Sequence, residues 1–194
     1  MLIAEPIGKG AQALGGVIQW ATNKHPLIMG MVISVVMGMI LTLPISSAAI
    51  CAGLGLSGMA QMAGGAVIDL NYEGLALAGG AAIAGCCAQM IGFAVISFKD
   101  NGIGGFISQG IGTSMLQIGN IVRKPLIWLA PTLTSAILGP VSTILLGMTN
   151  NAIGAGMGTA GLVGPLAAYA VMSPAAAASG TTWLLICKIA GLYF

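Results

Sequence analysis

Seven uncharged polar side chains lie inside stretches that are otherwise apolar: Gln89, Thr113, Ser114, Gln117, Asn120, Asn150 and Asn151. Amides and hydroxyls can each donate and accept hydrogen bonds. None changes protonation near neutral pH, so none suits acid–base work. Their chemistry is the recognition of a neutral ligand rich in hydroxyl groups, such as a sugar. An ion pump would place carboxylates at such depths instead. Gln117 and Asn120 stand three apart and share a helix face. With Thr113 and Ser114 they form a polar stripe.

Asn150 and Asn151 open the stretch TNNAIGAGMGTAGLVG, which carries five glycines from Gly154 to Gly164. At membrane depth a broken backbone is tolerated only where it lines a cavity or packs on protein. The N–H groups of such a break, around Gly154, Gly156 and Gly158, can meet a ligand's oxygens, with the two asparagines at its mouth. The same glycines also fit a close helix-packing face, with the asparagines as an ordinary turn. Gln89 likewise fits either a helix–helix hydrogen bond or a ligand contact.

Other residue types carry less. Cys51, Cys86, Cys87 and Cys187 sit in apolar runs with no CxxC spacing, and read as small membrane-buried residues rather than metal ligands. His25 reads as an interface residue, Asp69 and Glu73 as a solvated loop, Lys99 and Asp100 as a surface turn. No catalytic residue, metal or cofactor is expected.

The elements that position these groups follow from composition. Of 194 residues, 57% are hydrophobic and 5% charged, with a mean hydropathy of +1.01. A soluble domain needs roughly 25% charged residues, so lipid is the main solvent here. The fold class is an all-α membrane protein, a polytopic helical bundle with broken or re-entrant helices. Long charge-free runs, each measured against the roughly 20 residues of a crossing, give about five to seven membrane segments. Residues 1–24 form a lead-in and 25–194 the transmembrane domain.

The first crossing runs from Leu27 to about Leu43 and stops at Pro44. Leu75–Phe98 is a second, with a turn at Lys99–Gly102. Ile103–Val122 is too polar to face lipid and must face protein or a wet cavity. Leu126–Met148 and Ala175–Phe194 supply further crossings. If every run crosses once, Lys9, Lys24, Arg123 and Lys124 share one side and Lys99 takes the other. A net charge of +2, with no basic–aromatic tandem, argues against nucleic acid.

Four stretches carry a family resemblance: HPLIMGMVISVVMGMILTLPISSAAI, GCCAQMIGFAVISFKDNGIGG, QGIGTSMLQIGNIVRKP and GAGMGTAGLVGP. In order, over about residues 25–172, they resemble the EIIC membrane subunit of phosphotransferase-system sugar transporters, in the divergent branch that includes the regulator of perfringolysin production. The resemblance implies a permease that binds a carbohydrate in the bacterial plasma membrane. It also implies IIA and IIB partner proteins that carry the phosphoryl chemistry, and a homodimer. A regulator or sensor that keeps the fold without transport is the alternative. The chain is short for that family and looks like its C-terminal portion, with an N-terminal membrane segment missing. Ser57–Glu73 departs from the pattern. The acidic residue and histidine used in other EIIC families do not map onto Glu73 or His25.

Overall fold

The computed structural model describes residues 18, 20–54, 56, 73–178 and 182–193, and among these there is no strand. Residues 69–72 of the predicted Asp69–Glu73 loop, Lys9 and most of the lead-in lie outside the described residues, although Glu73 begins a helix and residues 20–24 are helical. Helix α1 spans Pro26–Thr42, with Pro26 in the first turn, where its missing N–H costs nothing. It ends at Leu43, which is extended ahead of Pro44. Helix α2, Ser47–Gly53, is capped by Ser46, whose hydroxyl accepts from the Ala49 N–H at 3.3 Å. Helix α3 runs from Glu73 to Ile107 and is broken at Gly102, where φ is 60° and ψ −156°.

A π-helical turn follows at Ser108–Gly112, then an extended Thr113, a 3-10 turn at Ser114–Gln117 and helix α4, Ile118–Arg123. A second 3-10 turn, Pro125–Trp128, leads into α5, Leu129–Pro140, and a π-helical turn at Val141–Leu145. Helix α6 is Ala152–Met157, α7 Val163–Ala178 and α8 Thr182–Tyr193. Among the described residues two stretches are long and apolar enough to cross a membrane, Gly74–Gly112 and Pro125–Leu145; Pro26–Thr42 and Ala160–Pro174 are apolar but shorter. The run predicted to cross from Ala175 is shared between α7 and α8, with residues 179–181 outside the described residues.

Helices α1, α3 and α5 pack into one seam. Small residues make this possible: a carbon added at Gly38 would lie 2.7 Å from the Gly85 carbonyl oxygen, and one at Gly139 2.6 Å from Ser34 Cβ. Hydroxyls then bond neighbouring backbone. Ser34 donates to the Ser135 carbonyl at 2.6 Å, and Ser135 to the Gly85 carbonyl at 3.2 Å. In lipid, where helices gain nothing from hiding apolar surface, such close approach and interhelical bonding supply the association.

These contacts also fix direction. Along α1 the residues Pro26 and Ser34 meet Thr143 and Ser135 of the α5 segment, so the two are antiparallel. Gly92, Gly85 and Gly80 of α3 meet Pro131, Ser135 and Ser142, which makes α3 and α5 antiparallel as well. Gly102, at the far end of α3, and Lys124, at the start of the α5 segment, therefore lie on the same side. The intervening stretch enters and returns without crossing. Phe106 stacks edge-on against Phe98 with centroids 6.0 Å apart, and Gly110 lies beside Ala94 and Ile91, so the chain doubles back at Gly102.

This corrects two expectations. The reversal falls on Gly102 alone, because the helix continues through Lys99–Asn101. Arg123 and Lys124 also join Lys99 on one side, rather than opposing it.

A second re-entrant hairpin rises from the other end. Using α3 as a ruler, Met148 packs at Gly80, Gly158 at Cys86, and Gly164 back at Ile83. Positive φ at Gly147 (55°), Gly158 (57°) and Gly161 (54°) makes the bends, in the region where a side chain would strain. The return is fixed by Met172, whose sulfur accepts from the Thr149 N–H at 3.5 Å.

Candidate functional site

The two hairpins meet within the bundle. Thr159, near the tip of the second, donates its hydroxyl to the Gly110 carbonyl near the tip of the first. It also lies 3.4 Å from the Met90 sulfur of α3. Extended Thr113 breaks the first hairpin, and its side chain accepts from the Met115 N–H at 3.2 Å to start the return turn. The polar stripe foreseen on one helix, Thr113 to Asn120, therefore starts at this break and follows the return limb, through the 3-10 turn into α4.

Three amides connect across that reversal. Asn120 donates to Gln117 at 2.8 Å, and Gln117 donates to Gln109 at 2.9 Å. Gln109 and Gln117 are buried and Asn120 is exposed, so the ladder runs from the outside into the protein. Ser114 is fully buried, and its hydroxyl has no partner.

Gln89 stands apart from this ladder, on the α3 face turned to α1 and α5. Its Nε2 donates to the Thr132 hydroxyl at 3.2 Å, and Thr132 donates to the Trp128 carbonyl at 2.7 Å. Its Oε1 is buried without a partner, as is the Trp128 indole N–H. Each unsatisfied buried polar group costs about 1–3 kcal/mol. Three of them among the described residues are a donor, an acceptor and a hydroxyl that does either. All are neutral.

The asparagine pair is arranged differently. Asn150 is fully buried; its Nδ2 donates to the Gly164 carbonyl at 3.2 Å, and its Oδ1 accepts from the Asn151 N–H at 2.8 Å. Asn151 caps α6, accepting from the Gly154 N–H at 2.7 Å. Both side chains thus hold the base of the second hairpin together. Gly154, Gly156 and Gly158 are buried against Ala167, Ala48 and Cys86 respectively. The structure brings Gln117, Asn120, Thr113 and Ser114 together on the first hairpin, and Asn150, Asn151 and the glycines on the second. Gln89 belongs to neither group.

Sequence reasoning missed Gln109, Thr159, Thr132 and Trp128 as members of these networks. A glutamine eight residues before Gln117, with a glycine-rich break between, was the available signal for Gln109. An open cleft of about 380 Å³ lies elsewhere, between α3, α5 and α8. Its lining is apolar and includes none of the predicted residues.

The sequence was compared with known families and proteins. The family described as phosphotransferase system, EIIC, matches over residues 1–194. No curated protein matches, and no solved structure matches. An all-α chain in lipid, with opposed re-entrant hairpins and neutral buried polar groups, covered end to end by that family, belongs to the phosphotransferase-system EIIC family.

Proposed function

We propose that the chain is the membrane subunit of a carbohydrate permease: multi-pass, in the bacterial plasma membrane, handing its sugar to IIA/IIB partners for phosphorylation. The observation that carries this reading is the presence of unpaired buried groups at two places, Ser114 Oγ on the first hairpin and Gln89 Oε1 and Trp128 Nε1 at the seam of α3 and α5. A sugar offers donors and acceptors in one molecule, and Trp128 adds an aromatic face on which a sugar ring can lie. The amide ladder at Gln109, Gln117 and Asn120 supplies further partners. Thr113 and Ser114 form the turn that presents them. Asn150, Asn151, Gly154, Gly156 and Gly158 shape the second hairpin, whose tip closes on the first through Thr159.

In this reading alternating access comes from separating the two tips. The positive-φ glycines at 102 and 147 are the bending points. Lys99, Arg123 and Lys124 share one side, and in this reading that side is the cytoplasmic one. That is the side from which IIB would reach a sugar released by the first hairpin. The chain itself holds no phosphate carrier, and a homodimer is the working unit.

The test is thermal unfolding of the detergent-solubilised protein against a panel of mono- and disaccharides. One sugar raises the midpoint, because a ligand bound only to the folded state stabilises it by mass action. The shift disappears in Gln117→Ala and Gln89→Ala. If no sugar shifts the midpoint, or both variants respond as the parent does, the reading fails. Uptake into vesicles with and without the partners and their phosphoryl donor separates a permease from a sensor, which would bind without accumulating sugar.

A further inference from the structure

We propose that the cleft between α3, α5 and α8 binds one anionic phospholipid, with an acyl chain in the cleft and its phosphate on Lys99 and Lys124. The cleft, of about 380 Å³, is lined by apolar groups such as Ile91, Val95 and Ile96 of α3, Leu138 of α5 and Leu192 of α8. On α3 the lining recurs at Ala88, Ile91, Gly92 and Val95, the spacing of one helix face. The next position on that face is Lys99, which is exposed.

The α5 wall ends at the same height. Gly92 and Pro131 are in contact, since a carbon at Gly92 would lie 3.1 Å from Pro131 Cβ. Lys99 follows Gly92 by seven residues and Lys124 precedes Pro131 by seven. In antiparallel elements both therefore stand roughly 10 Å beyond that contact. Lys124 and its neighbour Arg123 are exposed too. Asp100 is the only carboxylate beside them among the described residues, so three cations face one anion at this end. No charged residue lines the cleft itself.

A groove that is hydrocarbon along its length and cationic at one end matches an amphiphile with an anionic head. Basic groups at the membrane surface favour anionic lipids. A second copy of the chain fits less well. A two-fold axis along the membrane normal would set each cationic end against its own copy, placing like charges together.

The test is native mass spectrometry of the purified protein, titrated with palmitoyl-oleoyl phosphatidylglycerol or phosphatidylcholine. The parent retains phosphatidylglycerol with a preference on the order of tenfold. The Lys99→Gln/Lys124→Gln double variant, altered only at exposed positions, loses that preference while its unfolding midpoint stays put. Thr134→Trp, which fills the cleft, loses both lipids. The proposal is overturned by an equal preference for the two lipids, by a preference unchanged in the double variant, or by full retention in Thr134→Trp. A dimer that Thr134→Trp dissociates would also overturn it, assigning the cleft to a second copy.

Discussion

In the first hairpin, residues 103–123, the glycines at 104, 112 and 119 face open space where a side chain would stand. In the second, residues 147–164, a carbon added at Gly156 would lie 2.6 Å from the backbone of Ala48, and one at Gly164 2.6 Å from Ile83. Both hairpins are glycine-rich and both carry amides, yet the residues do different work. In the second, glycine lets backbones touch, and Asn150 ties the entering strand of chain to the returning one. In the first, glycine loosens the packing, and the amides bond one another instead of the backbone. A region that must hold its shape uses buried amides against carbonyls. Under the proposed permease reading the first hairpin is the region that exchanges partners, and its amides bond side chains that a ligand can replace.

The contrast breaks most visibly at the glycines. Gly156→Ala destabilises the protein by about 3 kcal/mol, because the clash is with backbone and cannot be relieved by rotating a side chain. Gly112→Ala and Gly119→Ala stay within about 0.5 kcal/mol, since they meet nothing within 4 Å. Denaturation midpoints in detergent measure all three. Equal losses in both hairpins would abolish the distinction.

The amides sharpen it next. Asn150→Leu leaves the Gly164 carbonyl and the Asn151 N–H without their partner and costs about 2 kcal/mol. Asn120→Leu, at an exposed position of the first hairpin, removes one part-buried bond to Gln117 and costs about 1 kcal/mol, less than Asn150→Leu. It also lowers sugar binding. The same midpoints, read with and without sugar, give both numbers. A larger stability loss at Asn120 than at Asn150 would reverse the assignment of roles.

How far this was visible in the sequence depends on what each residue touches. Lipid as solvent followed from ten charges in 194 residues, and the α1 and α5 boundaries from Pro44 and the Arg-Lys-Pro run. That Ile103–Val122 would turn polar groups inward was legible, because an amide in hydrocarbon is costly, but only in part: Gln109, Ser114 and Gln117 are buried, while Asn120 and the apolar Ile103, Leu116 and Val122 are exposed. That the segment turns back was not legible. Reversal depends on the register of Gly92 against Pro131 and of Ser135 against Gly85, contacts between residues some 40 to 50 positions apart with no local signature. For the same reason Asn150 read as a cavity residue. Its partner, Gly164, supplies only a carbonyl, and every residue has one.

The smallest effect tests whether the hairpins act together. The Thr159 hydroxyl is the bond that joins their tips, and it ends on a backbone carbonyl, so Thr159→Val removes it while keeping the side chain's shape. The expected loss is about 1 kcal/mol, the usual worth of a single hydrogen bond. That is close to the edge of what a midpoint resolves. Amide hydrogen exchange reads it better. If the tips form one unit, exchange rises by a similar factor, roughly fivefold, at Gly110–Thr113 and at Gly158–Gly161, although only one hairpin was altered. Leucine or serine would not serve, since one overfills the site and the other keeps the hydroxyl. A rise confined to Gly158–Gly161 would mean that the first hairpin holds its position without the second. Alternating access would then need a different moving part.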